Sequence, residues 1–289
     1  MRKLVTAFIA LVVLSAATTA MAAPIVMDGS TTVLPFGQAA VEQFMKENAG
    51  VKFSVSGTGT GNGFKSLADG SAQIANASRF IKDSEIKSCM DKNVYPVPFA
   101  VALDCIVPIV HKDNPVKGLS HAQLKDIYSG KVTNWNQVGG ADVSILPYGR
   151  QTTSGTYEFF FETVMKKEDF ATGVSQETGN AAIATKVNQN AGGIGYIGIG
   201  YAQQAQGVKT LSLKADVSSE AFLPTDEEAV YAGDYPLSRH LYVYTNGTPE
   251  GAVKKWVEYI LSDEGQAVVE EAGFYKLDAD TLSAMKAQL

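Results

Sequence analysis

The chain has 289 residues, 45% of them hydrophobic, and its 24 Lys and Arg face 30 Asp and Glu for a net charge of −6. That length exceeds what most single cores fill and suits two domains of ordinary size. The acidic balance argues against nucleic acid or an anionic membrane surface as a partner. An anionic ligand would have to be drawn by local groups, a few Arg side chains and oriented backbone N–H groups.

Arg2 and Lys3 precede an apolar run from Leu4 to Ala17 with small residues after it, and Ala20-Met21-Ala22 supplies a small-x-small cleavage pattern. Residues 1–23 therefore read as a secretory signal peptide. The run is shorter than the roughly 20 residues that span a bilayer, and no Cys follows the cleavage pattern to carry a lipid. A soluble exported chain without a membrane anchor is expected. Removal of Arg2 and Lys3 leaves 22 basic against 30 acidic side chains, a net charge of −8 over the remaining 267 or so residues.

The segment PIVMDGS reads as a strand and TTVLPFGQAAVEQFMKENAG as a turn and a helix, with Val33, Phe36, Ala40, Val41 and Phe44 at helical spacing. VKFSVSG is an alternating strand, the glycine-rich SGTGTGNG a loop, FKSLADGSA a short helix and QIANAS a strand. This alternation is that of a doubly wound α/β layer. After Pro96 and Pro98 comes the apolar strand FAVALDCIVPIV, then helical LSHAQLKDIYSG, strand VSILPYG and a helix through TYEFFFETVM. NAAIATKVNQN reads as a helix, AGGIGYIGIGYA as a strand and turn, VKTLSLKAD and SRHLYVYTN as strands. Two helical patterns close the chain, GAVKKWVEYILSDEGQAVVEEAG and TLSAMKAQL. We expect one lobe from residues 24–100 plus 237–289, interrupted by a second over 101–236, with crossings near 100 and 237.

Cys89 and Cys105 are the two cysteines. In an exported chain they are expected to pair as a disulfide more readily than to hold a metal, provided their Cα atoms approach within about 7 Å. His111, His121 and His240 share no ligand-like spacing, so neither a metal nor a cofactor is expected.

Ligands of open α/β sheets sit outside the carboxyl ends of the strands. Three loops there share one signature, in which a strand ends, glycine and hydroxyl residues follow and a helix begins: DGSTTV at 28–33, GTGTGNG at 57–63 and GRQTTSGT at 149–156. A helix N-terminus carries unpaired N–H groups and a partial positive charge, a ready site for an anion. The second loop is not a nucleotide loop: Lys65-Ser66 follows Phe64 rather than Gly, and the dinucleotide glycine spacing fails at Asn62 and at Phe64. Arg150, four residues before Ser154-Gly155-Thr156, adds a planar fork suited to a tetrahedral oxyanion.

With these motifs in view the chain resembles the periplasmic phosphate-binding proteins of ABC phosphate importers, over nearly its whole length after the leader. GSTTVLP, SGTGTGNG, IANASR, DNPVKGLSHAQLKDIYSGKVTNW, R-x-x-x-SGT and GGIGYIGIGYA carry the resemblance. It implies a two-lobed type II binding fold, each lobe a doubly wound mixed sheet flanked by helices, closing about a hinge on one dehydrated phosphate. It also implies a monomer in the periplasm that hands inorganic phosphate to an inner-membrane ABC permease. Carried over by position, Arg150, Ser154, Gly155 and Thr156 hold the anion from one lobe; Ser30, Thr31, Thr32, Gly59 and Thr60 hold it from the other.

One position departs from the family. Some members carry an Asp directly after the Ala-Ser that ends the third strand, where it accepts the proton of hydrogen phosphate and helps reject sulfate. Here Arg79 stands at that position, after Ser78, a further hydroxyl donor. An Arg79 facing the anion would add attraction without an acceptor. Asp28 is left to replace the acceptor, to pair with Arg79, or to be a solvated turn carboxylate. The competing readings are a receptor for another tetrahedral oxyanion, sulfate or molybdate, and an exported phosphate-ester enzyme. The enzyme would need a nucleophile beside a base or a metal cluster, and no such motif lies near Ser154 or Thr156.

Overall fold

The computed structural model describes residues 23–216 and 218–289. The expected signal peptide, apart from its final Ala23, lies outside them. In chain order the elements are β1 (Ile25–Gly29), α1 (Leu34–Glu47), β2 (Phe53–Val55), α2 (Thr60–Ala68), β3 (Ile74–Ala77), α3 (Asp83–Met90), β4 (Pro96–His111), β5 (Gly118–Ser120) and α4 (His121–Tyr128). After a 3-10 turn at Trp135–Val138 come β6 (Leu146–Arg150), α5 (Gly155–Thr163), β7 (Ser175–Glu177), α6 (Asn180–Gln189), β8 (Gly193–Gly198), α7 (Ile199–Gln204), β9 (Val208–Thr210) and β10 (Ser212–Lys214). The chain ends with β11 (Ala221–Phe222), α8 (Glu227–Ala232), β12 (Ser238–Asn246), α9 (Gly251–Ile260), α10 (Asp263–Glu271) and α11 (Ala279–Lys286).

The main sheet runs β2-β1-β3-β12-β4-β8-β6-β7, with β9 also on β4. β1 is parallel to β2 and β3, and β6 is parallel to β7 and β8, so each end of the sheet is a parallel α/β layer. The antiparallel pair β4–β12 joins the two ends. β4 pairs with β12 from Pro96 to Cys105, then with β8 from Ile106 to Val110. The result is a two-lobed mixed α/β fold, with lobe I built on β1–β3 and lobe II on β6–β8.

The helices follow the apolar spacing. α1 buries Phe36, Ala40, Val41 and Phe44 and packs on α9 and α10. Ser262 separates those last two helices by accepting the Gly265 N–H, where the sequence reads as one run. Pro96 and Pro98, expected to precede a strand, lie inside β4. At that end β4 pairs only with β12, so as an edge it tolerates residues without an N–H.

The expected disulfide is not formed. Cys89 and Cys105 are both free and buried. Cys105 lies on β4 in the main core, whereas Cys89 on α3 belongs to a separate cluster with Phe64, Leu67 and Tyr244. Burial raises both thiol pKa values, and nearby Glu85 and Asp104 raise them further. Each therefore behaves as a small apolar side chain.

Candidate functional site: a polar cleft between the lobes

The three glycine and hydroxyl loops meet at the boundary of the lobes. From lobe I come the β1–α1 turn with Ser30, Thr31 and Thr32, the start of α2 with Thr60, and Ser78 just past β3. From lobe II come Arg150 at the end of β6, the start of α5 with Ser154 to Thr156, and Asn180 at the start of α6. Apart from Gly155 these are all polar side chains, and all are buried.

Local rules place each group. Ser30 Oγ accepts the Thr32 N–H at 3.1 Å and tightens the turn before α1. Gly59 precedes α2 at φ +111°, a backbone that L side chains rarely adopt, and its N–H donates to the Gly29 carbonyl at 2.7 Å. Ser154 caps α5, its Oγ accepting the N–H groups of Thr156 and Tyr157 at 3.1 and 3.3 Å. The expected helix after the glycine loop begins earlier than its apolar pattern suggests, at Thr60, so part of the loop is the helix start itself.

Contacts cross the cleft directly. Thr32 Oγ1 lies 3.1 Å from Thr156 Oγ1, and Arg150 Nη2 donates to Thr31 Oγ1 at 2.9 Å. The Gly61 N–H donates to the Thr153 carbonyl at 3.0 Å, and the Tyr201 hydroxyl to the Thr31 carbonyl at 2.7 Å. Thr60 Oγ1 accepts the Ser78 N–H at 3.1 Å and lies 3.3 Å from Ser78 Oγ. At Gly155 a Cβ would stand 2.6 Å from both Ser78 Oγ and Thr60 Oγ1. Only glycine allows α5 to approach lobe I this closely.

Arg150 is 2% exposed. Among the described residues its side-chain hydrogen-bond acceptors are Thr31 Oγ1, Asn180 Oδ1 and the Thr178 carbonyl, and its Nε is buried without a partner. Among the described residues no carboxylate pairs with it. Burial pushes its pKa down to about 10, partly offset by Tyr196 and reinforced by Arg239. That is still far above neutral, so the cleft holds a dry cation whose hydrogen-bond partners are neutral, an arrangement that favours an anionic counter-charge.

Three groups of the site escaped the sequence reading. Asn180 donates through Nδ2 to Thr31 Oγ1 and Thr32 Oγ1 at 3.4 and 3.3 Å, and its Oδ1 accepts the Gly198 N–H. Its signal was weak, a polar residue at a helix start. Asp104 and Arg239 form a buried ion pair that reaches Thr156. Here the signal was stronger, since each is a charge inside an apolar strand.

Two expected members are placed elsewhere. Arg79 does not face the hydroxyls: its Nη1 and Nη2 hold Glu85 at 2.8 and 2.7 Å, and its guanidinium lies over the Phe64 ring at 5.5 Å. Glu85 also accepts the Lys82 N–H at the start of α3, so the helix cap captures the arginine. Nor does Asp28 pair with Arg79 or stand in solvent. Its carboxylate accepts the hydroxyls of Ser56, Thr58 and Ser66 at 2.6, 2.9 and 3.0 Å, bracing the glycine loop from behind.

Fold and cleft together define a periplasmic-binding-protein architecture, two α/β lobes closing on a small site lined by hydroxyls, helix starts and a buried guanidinium. A family profile described as the PBP superfamily domain matches residues 14–264. The phosphate-binding protein PstS of Staphylococcus saprophyticus is 36% identical over 269 residues, covering 91% of this chain and 83% of that protein. PstS of Pseudomonas aeruginosa is 33% identical over 268 residues, covering 87% and 82%. A crystal structure of a putative phosphate ABC transporter substrate-binding protein from Clostridium perfringens, with bound phosphate, superposes with a TM-score of 0.79 at 31% identity, covering 89% of this chain and all of the other. The chain belongs to the PBP superfamily and, within it, to the PstS family of phosphate-binding proteins.

Proposed function

We propose that the protein binds inorganic phosphate outside the cytoplasm and delivers it to an ABC permease. The carrying observation is Arg150, a buried cation with only neutral partners, ringed by Thr31, Thr32 and Asn180 beside the start of α5. A tetrahedral dianion supplies the missing counter-charge and accepts from the guanidinium, the hydroxyls and the helix-start N–H groups together. Charge-assisted hydrogen bonds contribute about 1.5–3 kcal/mol each, and micromolar affinity needs about 8 kcal/mol. Several such bonds reach it after the anion is dehydrated.

The proposed ligand set is Arg150, Ser154, Gly155 and Thr156 from lobe II with Ser30, Thr31, Thr32, Gly59, Thr60 and Ser78 from lobe I. Residues 24–100 with 237–289, and 101–236, are the proposed lobes; the change of partner along β4 after Cys105 supports a crossing within that strand. A binding role rather than ester hydrolysis fits the hydroxyl environments. Ser154 Oγ meets the N–H groups of its own helix, and Thr156 Oγ1 meets Arg239 and Thr32, so neither has a general base in reach. Delivery requires export, which the leader-like residues 1–23 support, and among the described residues no helix is long and apolar enough to cross a membrane.

Isothermal calorimetry of the chain from Pro24, titrated with phosphate, sulfate, arsenate and molybdate, tests the reading. Phosphate is expected to bind tightest, at micromolar affinity or better. Tighter binding of sulfate or molybdate would replace phosphate as the ligand.

A further inference from the structure

Beyond the leader the chain carries only Arg79, Arg150 and Arg239, and its other strong bases are lysines. Arg79 is committed to Glu85. Arg239 lies on β12 directly opposite Asp104 of β4, so this ion pair bridges the two strands that connect the lobes. Its side chain is 3% exposed. Nε and Nη2 donate to Asp104 Oδ2 at 3.0 and 2.8 Å, which places the side edge of the guanidinium on the carboxylate. The other carboxylate oxygen accepts the Ile199 N–H at 3.1 Å.

The end edge of the guanidinium, Nη1 with Nη2, is not used in the same way. Nη2 donates to Thr156 Oγ1 at 2.9 Å, while Nη1 is buried without a hydrogen-bond partner among the described residues. Thr156 Oγ1 in turn lies 3.1 Å from Thr32 Oγ1, at the centre of the cleft. A planar fork with one tine on a site hydroxyl and the other unpaired has the shape that grips two oxygens of a tetrahedral anion. Leaving a buried donor unsatisfied is costly, which makes an anion oxygen a favourable partner.

We propose that Arg239 is a second cationic ligand of the bound oxyanion, presented by the strands that join the lobes, with Asp104 as the positioning residue that fixes its end edge toward Thr156. This rests on the phosphate-receptor reading and adds to it a preference: two guanidiniums acting on one anion select the dianion of phosphate over the monoanion. Arg239 already acts on Arg150, lowering its tendency to stay charged. A dianion between them relieves that repulsion.

The test is calorimetry of wild type, Arg239→Gln and Arg239→Lys with phosphate, below and above the second ionisation of the ligand. Loss of one charge-assisted contact predicts a fall of about 10- to 100-fold in affinity for Arg239→Gln, larger for the dianion than for the monoanion, with partial recovery in Arg239→Lys. Unchanged affinity, or equal losses for both ionisation states, would show that Arg239 acts only structurally. If the variants do not fold, wild-type protein labelled with 15N-arginine gives the answer. Two of its three side-chain signals should shift on adding phosphate, and a single shifting signal would overturn the proposal. Failure of the receptor reading is seen separately, as wild type preferring sulfate; the fall in sulfate affinity of Arg239→Gln, or its absence, then decides the role of Arg239.

Discussion

Arg79, two residues past β3, and Arg150, the last residue of β6, occupy similar places at strand ends, yet their surroundings differ. Arg79 meets a carboxylate six positions on, because Glu85 at the third position of α3 is turned back toward the helix start. Arg150 meets only hydroxyl, amide and carbonyl groups. The first is a self-neutralised ion pair and the second a cation whose charge remains to be matched from outside the chain. The type of partner, and not the residue alone, separates a structural arginine from an anion anchor.

The largest effect is expected at the unneutralised arginine. Arg150→Ala removes the fork and its charge from the cleft, two charge-assisted bonds worth about 3–6 kcal/mol together, a loss of at least about 100-fold in phosphate affinity. The free protein should melt no earlier, because burying an unpaired guanidinium costs stability in the absence of the anion. Calorimetry with a thermal melt of the unliganded protein checks both halves. Retained affinity would remove Arg150 from the site.

Gly155→Ala tests the closeness of the lobes instead of the charge. The added Cβ would meet Ser78 Oγ and Thr60 Oγ1 at 2.6 Å, so the closed cleft must spread, although alanine suits the first turn of α5 itself. A fall of about 10-fold or more in affinity is expected, from loss of about 1.4 kcal/mol of interaction across the cleft. The melting temperature without ligand should be unchanged or slightly raised. If affinity holds, the site does not depend on this approach.

Much of the frame was legible because each expected anion loop marks its own ends: a period-2 apolar run, glycine and hydroxyl residues, then a period of 3.6. Ser154 capping α5 and Gly59 at positive φ are local events, decided by residues adjacent in the chain. The pairing of Arg79 with Glu85 was local too, yet the capping geometry that turns Glu85 toward it does not follow from a string of residues. Asp104 and Arg239 were not legible as a pair, since their contact depends on the register of β4 against β12, strands separated by more than a hundred residues. Cys89 and Cys105 mislead for the same reason: composition suggests a bond, and packing places them in different clusters.

The smallest effect is expected at the arginine that already has its carboxylate. Arg79→Ala removes a bidentate pair whose side chains are 10% and 20% exposed, together with the guanidinium's contact on the Phe64 ring. A partly solvated ion pair contributes about 1 kcal/mol, so a small drop in melting temperature is expected. Phosphate affinity should stay within about twofold, a change of roughly 0.4 kcal/mol, and the ratio of phosphate to sulfate binding should not move. A selectivity that shifts in Arg79→Ala would mean that the guanidinium leaves Glu85 for the anion when the cleft is loaded. The contrast between the two arginines would then be a property of the unliganded chain alone, and Glu85→Gln, which frees Arg79 without removing it, should reproduce the shift.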